Sequence, residues 1–172
     1  MSTTLLQPEK DPMGRAIADY YAKGKAAKLR VFSSQFDEDE IPVEDLFRSY
    51  EDMPELEQVA LQTACGRILD VGAGSGCHSI ALTAMGKDVM AIDISPLSVQ
   101  VMLERGVHAR QVNFYDKSFD ERFDTILMLM NGSGIIGKLE NMGAFFAKMK
   151  QLLNPGGCIY MDSSDLRYLF ED

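Results

Sequence analysis

The chain has 172 residues, a length that supplies one domain with a sizeable core and excludes two ordinary ones. Apolar residues make up 46% of it, enough to pack a sheet between helices, while a formal net charge of −9 argues against a nucleic-acid backbone as the main partner. No apolar run reaches membrane-spanning length and residues 1–12 lack the apolar stretch of a signal peptide, so a soluble cytoplasmic protein is expected.

Residues 1–12 are polar and expected to fray. Residues 13–32 carry a helical pattern, with Ile17, Tyr20, Tyr21, Leu29 and Phe32 as its apolar positions. Lys23, Lys25, Lys28 and Arg30 fit a solvated face of that helix. Residues 37–40 read as an acidic loop, and 43–50 and 54–65 as further helices, the last opened by Pro54. Cys65, Cys77 and Cys158 form neither a metal-ligand spacing nor a disulfide framework and read as reduced thiols.

After Gly66 the rhythm changes. Short apolar runs at 67–71, 88–92, 107–112, 123–130 and 158–162 read as strands, with helices at 77–85, 96–105 and 138–153. Gly86 and Gly106 stand where helices end, Ser95 and Pro96 where one begins, and Asn154-Pro155-Gly156-Gly157 spells a turn. Strands alternating with helices imply βαβ units, hence an α/β fold with a doubly wound, mostly parallel sheet covered on both faces. Residues 1–64 form a helical segment expected to cap the cleft, and 65–172 the α/β core.

Arg67-Ile68-Leu69-Asp70-Val71-Gly72-Ala73-Gly74-Ser75-Gly76 is a strand running into a glycine-rich turn that opens a helix. In open α/β sheets ligands bind beyond the carboxyl ends of the strands, and helix N-termini there offer free N–H groups. A dinucleotide fingerprint would need a third glycine where Cys77 stands, and a phosphate loop a lysine that is absent. Asp93 ends the next strand, where a carboxylate can accept hydrogen bonds from both ribose hydroxyls of an adenosine. NAD sites use a similar acid, so Asp93 speaks for adenosine in general.

The blocks ILDVGAGSGCHSIAL, AIDISP, FDTILMLMNGSGIIG and LLNPGGCIYMDSSD, spread from Ile68 to Asp165, resemble the class I (Rossmann-like) S-adenosylmethionine-dependent methyltransferases. The later blocks resemble bacterial small-domain members of unsettled substrate. By that resemblance Asp70 with Gly72, Ala73, Gly74, Ser75 and Gly76 holds the methionine moiety, and Asp93 with Ile94 the ribose and adenine edge. A polar residue after the third strand meets the adenine; Asn113 with Phe114 is favoured over Asp116 by position. Met130 and Asn131 lie beside the sulfonium. The family's sheet usually adds a C-terminal hairpin beyond its fifth strand. Here the chain stops at Asp172, so five strands are expected, in a truncated or a minimal form. The fifth strand's outer edge is then open, covered by residues 166–170, or paired in a homodimer.

Gly132, Gly134 and Gly137 satisfy a second dinucleotide spacing between a strand and a helix, with Asp162 or Asp165 as its acid, and spacing alone does not exclude it. The segment after Met130 is Asn-Gly-Ser-Gly and not the Asn/Asp-Pro-Pro-Tyr/Phe of enzymes that methylate base amino groups. This directs the reading to a small-molecule acceptor. Methyl transfer from a sulfonium needs alignment more than an elaborate catalytic group, so no catalytic residue stands out. His78 is a candidate base or a packing residue; His108 reads as part of a solvent-facing turn. Tyr20, Arg48 and, more weakly, Tyr21 and Tyr50 are candidates to face the acceptor. The alternatives carried forward are a non-catalytic S-adenosylmethionine-binding module and an NAD(P)-binding oxidoreductase domain.

Overall fold

Apolar runs after Gly66 become strands because both of their faces find helices. The computed structural model describes residues 4–33, 37–165 and 167. Its central sheet has five parallel strands: β3 (Arg67–Val71), β4 (Asp88–Asp93), β5 (Ala109–Gln111), β6 (Phe123–Met128) and β7 (Leu153–Met161), in the order β5-β4-β3-β6-β7. The first strand of the core, β3, therefore lies in the middle, with β4 on one side and β6 on the other.

Strand alternation sorts the core into two faces. Leu69, Val71, Met90, Ile92, Ile126 and Met128 pack beneath Phe145, Met149 and Leu152 of α5 (Met142–Leu152). On the other face, Ile68, Val89 and Leu127 meet α2 (Glu55–Thr63) and α3 (Cys77–Ala84). There Ala91 and Ala109 meet Val99 and Met102 of α4 (Pro96–Glu104). Among the described residues no helix is long and apolar enough to cross a membrane.

The N-terminal third departs from the expected run of helices. The helix expected over 13–32 stops at Lys23: α1 is Pro12–Lys23, and Gly24 closes it in the left-handed region (φ 66°) with its N–H on Tyr20 O. Leu29–Val31 (β1) and Asp39–Ile41 (β2) instead pair antiparallel, taking in part of the expected acidic loop. The basic residues are therefore not one helix face. Lys23 pairs with Asp19 (2.7 Å), Lys28 with Glu40 (2.7 Å) and Arg30 with Glu38 (3.2 Å), all exposed. Phe32, expected to be apolar packing, is 70% exposed. The helix expected over 43–50 is two short 3-10 turns, Val43–Phe47 and Tyr50–Asp52. Only α2 matches its expected helix.

In the core the boundaries tighten: β5 covers only part of 107–112, and residues 132–141 form two 3-10 turns ahead of α5. The Asn154-Pro155-Gly156-Gly157 turn falls inside β7. Leu153 pairs with Phe123 and Cys158 with Thr125, so residues 154–157 bulge opposite Asp124. Gly156 takes φ 81°, and the Asp124 carboxylate accepts from Asn154 Nδ2 (2.8 Å) and from Arg67 N (2.8 Å). Among the described residues β7 pairs only with β6. Of the tail expected to cover its outer edge, residues 166 and 168–170 lie outside the described residues.

A hydrogen-bonded corner is among the contacts that tie the N-terminal segment to the core. Asp11 caps α1 by accepting from Gly14 N (2.8 Å), Ser95 caps α4 by accepting from Ser98 N (2.9 Å), and Ser95 Oγ donates to Asp11 (2.5 Å). The two helices thus start from a shared hydrogen-bonded corner.

Candidate functional site

The carboxyl ends of β3 and β4 meet in one hydrogen-bonded unit. Gly72 N and Ala73 N donate to Ile92 O (2.9 and 3.2 Å), and Gly76 N closes the turn on Ala73 O (2.8 Å). Gly74 N donates to Asp93 Oδ2 (3.0 Å), and Ser95 N to Asp93 Oδ1 (2.9 Å). Asp93 is therefore braced against the glycine loop and opens toward the same space. Burial pushes its carboxyl above the ordinary 3.8, partly offset by these backbone N–H groups.

Gly72, Gly74 and Gly76 all have positive φ (72°, 57° and 83°). A Cβ at Gly76 would stand 2.9 Å from Met102 Cγ and 3.2 Å from Val107 Cγ2. Gly76→Ala is expected to lower unfolding free energy by about 1–2 kcal/mol from the left-handed backbone alone, with the clash adding to it. A shift of the denaturant midpoint at unchanged slope would register this, and an unshifted midpoint would refute it.

Two cavities open on this unit. One of about 520 Å³ is lined by Asp70, Gly72, Ala73, Gly74, Ser75, Arg48, His78, Met130 and Asn131 among others. The second, of about 480 Å³, is lined by Ile94, Val112, Asn113, Phe114 and residues 4–6 among others. Gly72 and Asp93 line both. Each volume lies in the range of small-molecule sites.

Most of the residues expected from sequence come together here. Gly76 is the one loop glycine that lines neither cavity; it makes the turn and packs on Met102. Asn113 lines the second cavity, whereas Asp116 turns to Ser118 N (2.9 Å) and Ser118 Oγ (2.8 Å). Tyr20 does not face the loop: its ring stacks near Phe47 (4.9 Å between centroids). Tyr21 is exposed, and Tyr50 accepts from Gln62 Nε2 (2.6 Å). His108 is exposed, as expected.

The walls of the first cavity hold a buried charge cluster that the sequence did not announce. Glu57 of α2 clamps Arg48 Nη2 with both carboxylate oxygens and lies 2.7 Å from His78 Nε2. Burial alone would raise the Glu57 carboxyl; the hydrogen bonds from His78 and Arg48 outweigh it and hold it below 4.5. An ionised carboxylate only accepts, so Nε2 carries the proton. Asp70 is buried against Ser79 Oγ (2.7 Å), and burial raises its carboxyl. Burial also pushes the Cys77 thiol up to about 11, which leaves it inert. Arg105 donates to Ser75 O (2.7 Å) and fixes the loop from behind.

The rival glycine segment has a different occupation. Met130 and Asn131 sit consecutively at positive φ (60° and 62°). The Asp162 carboxylate accepts from Met130 N (3.0 Å) and Gly132 N (3.2 Å), and Asn131 Oδ1 accepts from Ser164 N and Oγ (both 2.7 Å). An acid of the chain itself thus takes the N–H groups a phosphate would need, and Asp162 is engaged with backbone, not placed to hold a ribose.

The profile of the methyltransferase-domain family matches residues 68–157, from β3 into the bulge of β7. The chain belongs to the class I S-adenosylmethionine-dependent methyltransferases. It is 71% identical to an S-adenosylmethionine-dependent methyltransferase from Bacteroides fragilis, solved in complex with S-adenosyl-L-homocysteine. That likeness covers 99% of this chain and 71% of the other, with a TM-score of 0.95. It is also 33% identical over 102 residues to the cypemycin N-terminal methyltransferase of a Streptomyces species, covering 57% of this chain and 42% of that protein. A demethylmenaquinone methyltransferase of Tropheryma whipplei is 32% identical over 100 residues, covering 55% and 40% respectively. The chain thus spans about two fifths of these curated relatives. Its site residues suit the family's cofactor: the loop glycines leave backbone bare, a braced carboxylate faces both cavities, and acids outnumber bases around them.

Proposed function

We propose that the chain binds S-adenosylmethionine across the two cavities and transfers its methyl group to a small-molecule acceptor. The observation that carries this reading is Asp93, fixed 3.0 Å from Gly74 N where both cavities share a wall. Asp70 with Gly72, Ala73, Gly74 and Ser75 would take the methionine moiety, Asp93 and Ile94 the ribose, and Asn113 and Phe114 the adenine. Met130 and Asn131 would stand beside the reacting centre, under a cap made by the described part of residues 1–64.

The cofactor supplies an activated methyl group on a sulfonium, so the chain's task is alignment and exclusion of water. Asp70, Glu57, Asp93 and Asp162 face the first cavity against Arg48 and His78, an acidic balance that favours a cationic donor. His78 receives a hydrogen-bonding partner in Glu57 and is the group in this wall suited to hold a proton lost by an acceptor.

Isothermal titration with S-adenosylhomocysteine and with NADH tests the first half. Binding of the former and not the latter is expected; the reverse would replace this reading with the oxidoreductase one. Incubating the protein with methyl-labelled donor and a metabolite extract tests the second half. Label in a small molecule is expected, and binding without incorporation would leave a cofactor-binding module.

A further inference from the structure

Residues 4–6 cross the outer side of the second cavity and were not singled out by any motif. Leu6 N donates to Ile94 O (3.2 Å), Asn113 Nδ2 to Thr4 O (3.1 Å), and Gln111 Nε2 reaches Ile94 O (3.1 Å) and, at 3.5 Å, Leu6 O. The segment is thereby fastened to the carboxyl tips of β4 and β5, the rim where ligands of such sheets lie. Thr4, Leu5 and Leu6 all contribute to the cavity wall, together with Val71, Ile92 and Phe114. Just beyond them, Asp11 locks the chain onto Ser95 (2.5 Å), so the segment is anchored at its far end.

We propose that residues 4–6 are a latch on the nucleoside part of the site: they form the wall that closes over the base, and their release opens it. This rests on reading the second cavity as the nucleoside site. The latch is a single extended segment held largely by side-chain amides, the kind of element that opens well below the global unfolding free energy. Its closure places Leu5 and Leu6 against a planar base that would otherwise face solvent. Retention of the ligand then depends on the latch, and its loosening acts mainly on dissociation. Asn113 gains a second role. Its Oδ1 accepts from Tyr115 N (3.0 Å) while its amide nitrogen fastens Thr4, so it positions the latch as well as lining the cavity.

Two variants loosen the latch by different routes. Leu6→Pro removes the N–H that reaches Ile94 O; Gln111→Ala removes the amide that bridges Ile94 O and Leu6 O, from a residue that lines neither cavity. Stopped-flow release of S-adenosylhomocysteine and of 5′-methylthioadenosine, which lacks the amino-acid part, is the measurement. Either variant, folded by circular dichroism, should release both ligands roughly 5–20-fold faster, because the latch faces only the nucleoside. Release rates within about twofold of wild type for both variants would overturn the latch. Asp93→Ala, measured alongside, separates the two ideas. If it weakens binding while the latch variants do nothing, the latch alone falls. If wild type binds neither ligand, the nucleoside reading falls with it.

Discussion

Replacing Asp93 with alanine is expected to weaken S-adenosylhomocysteine binding by roughly 10–100-fold. The proposed ribose contacts are hydrogen bonds to a charged acceptor, and the net loss of one, about 1.5–3 kcal/mol, corresponds to this factor. The same carboxylate also holds Gly74 N and Ser95 N, so its loss frees the loop as well as the ligand. Asp93→Asn is expected to rescue little: one of its two positions becomes an N–H donor facing a backbone donor. A pH signature accompanies the affinity. Burial raises the Asp93 carboxyl above 3.8, so wild-type affinity should fall on acidification through that raised value, where the acceptor loses its charge. The alanine variant should lack that component. Titration calorimetry at neutral and mildly acid pH measures both, and an unchanged dissociation constant in Asp93→Ala would refute the ribose assignment.

What made Asp93 readable is that its structural cause is local. A strand of unbroken apolar residues, an acid at its tip and a Ser-Pro helix start determine where that carboxylate stands, and the glycine loop lies on the neighbouring strand. Asp70, Gly72, Gly74 and Asn113 share that legibility. The N-terminal third lacks it. Ile17, Tyr20, Tyr21, Leu29 and Phe32 fit one helical stripe, yet Gly24 ends the helix, and Leu29–Val31 is organised by pairing with Asp39–Ile41, a contact no periodicity displays. Glu57 and residues 4–6 were silent for the same reason, and Asp162 was legible only as an acid for the rival glycine segment. Each serves the site through a partner far along the chain: His78, Ile94 and Met130 respectively. The Asn154-Pro155-Gly156-Gly157 segment shows a subtler failure. Its chemistry does bend the chain, but β6 pairs on both sides of the bend, and the turn becomes a bulge within one strand.

Glu57→Ala is expected to destabilise the fold by about 3–5 kcal/mol, the cost of breaking a buried ion pair by removing one partner. Glu57 and Arg48 have side chains only 7% and 12% exposed, and Arg48 Nε is already buried without a partner among the described residues. Losing the carboxylate leaves the guanidinium cation uncompensated and removes the hydrogen bond that orients His78. Glu57→Gln preserves the shape and isolates the charge. Because the Glu57 carboxyl is held below its ordinary value, its contribution is fully present above about 4.5 and is lost as pH falls through the lowered value. Asp70 and Asp93 act in the opposite sense, since burial raises both: their contribution is present at low pH and lost as pH rises through their raised values. The whole protein's acid profile therefore mixes the two, and the informative quantity is the difference between wild type and Glu57→Gln. That difference should be largest near neutrality and shrink below pH 4.5. Denaturant unfolding of both proteins across this range measures it, and a difference independent of pH would show that the carboxylate is not what holds Arg48 and His78 in place.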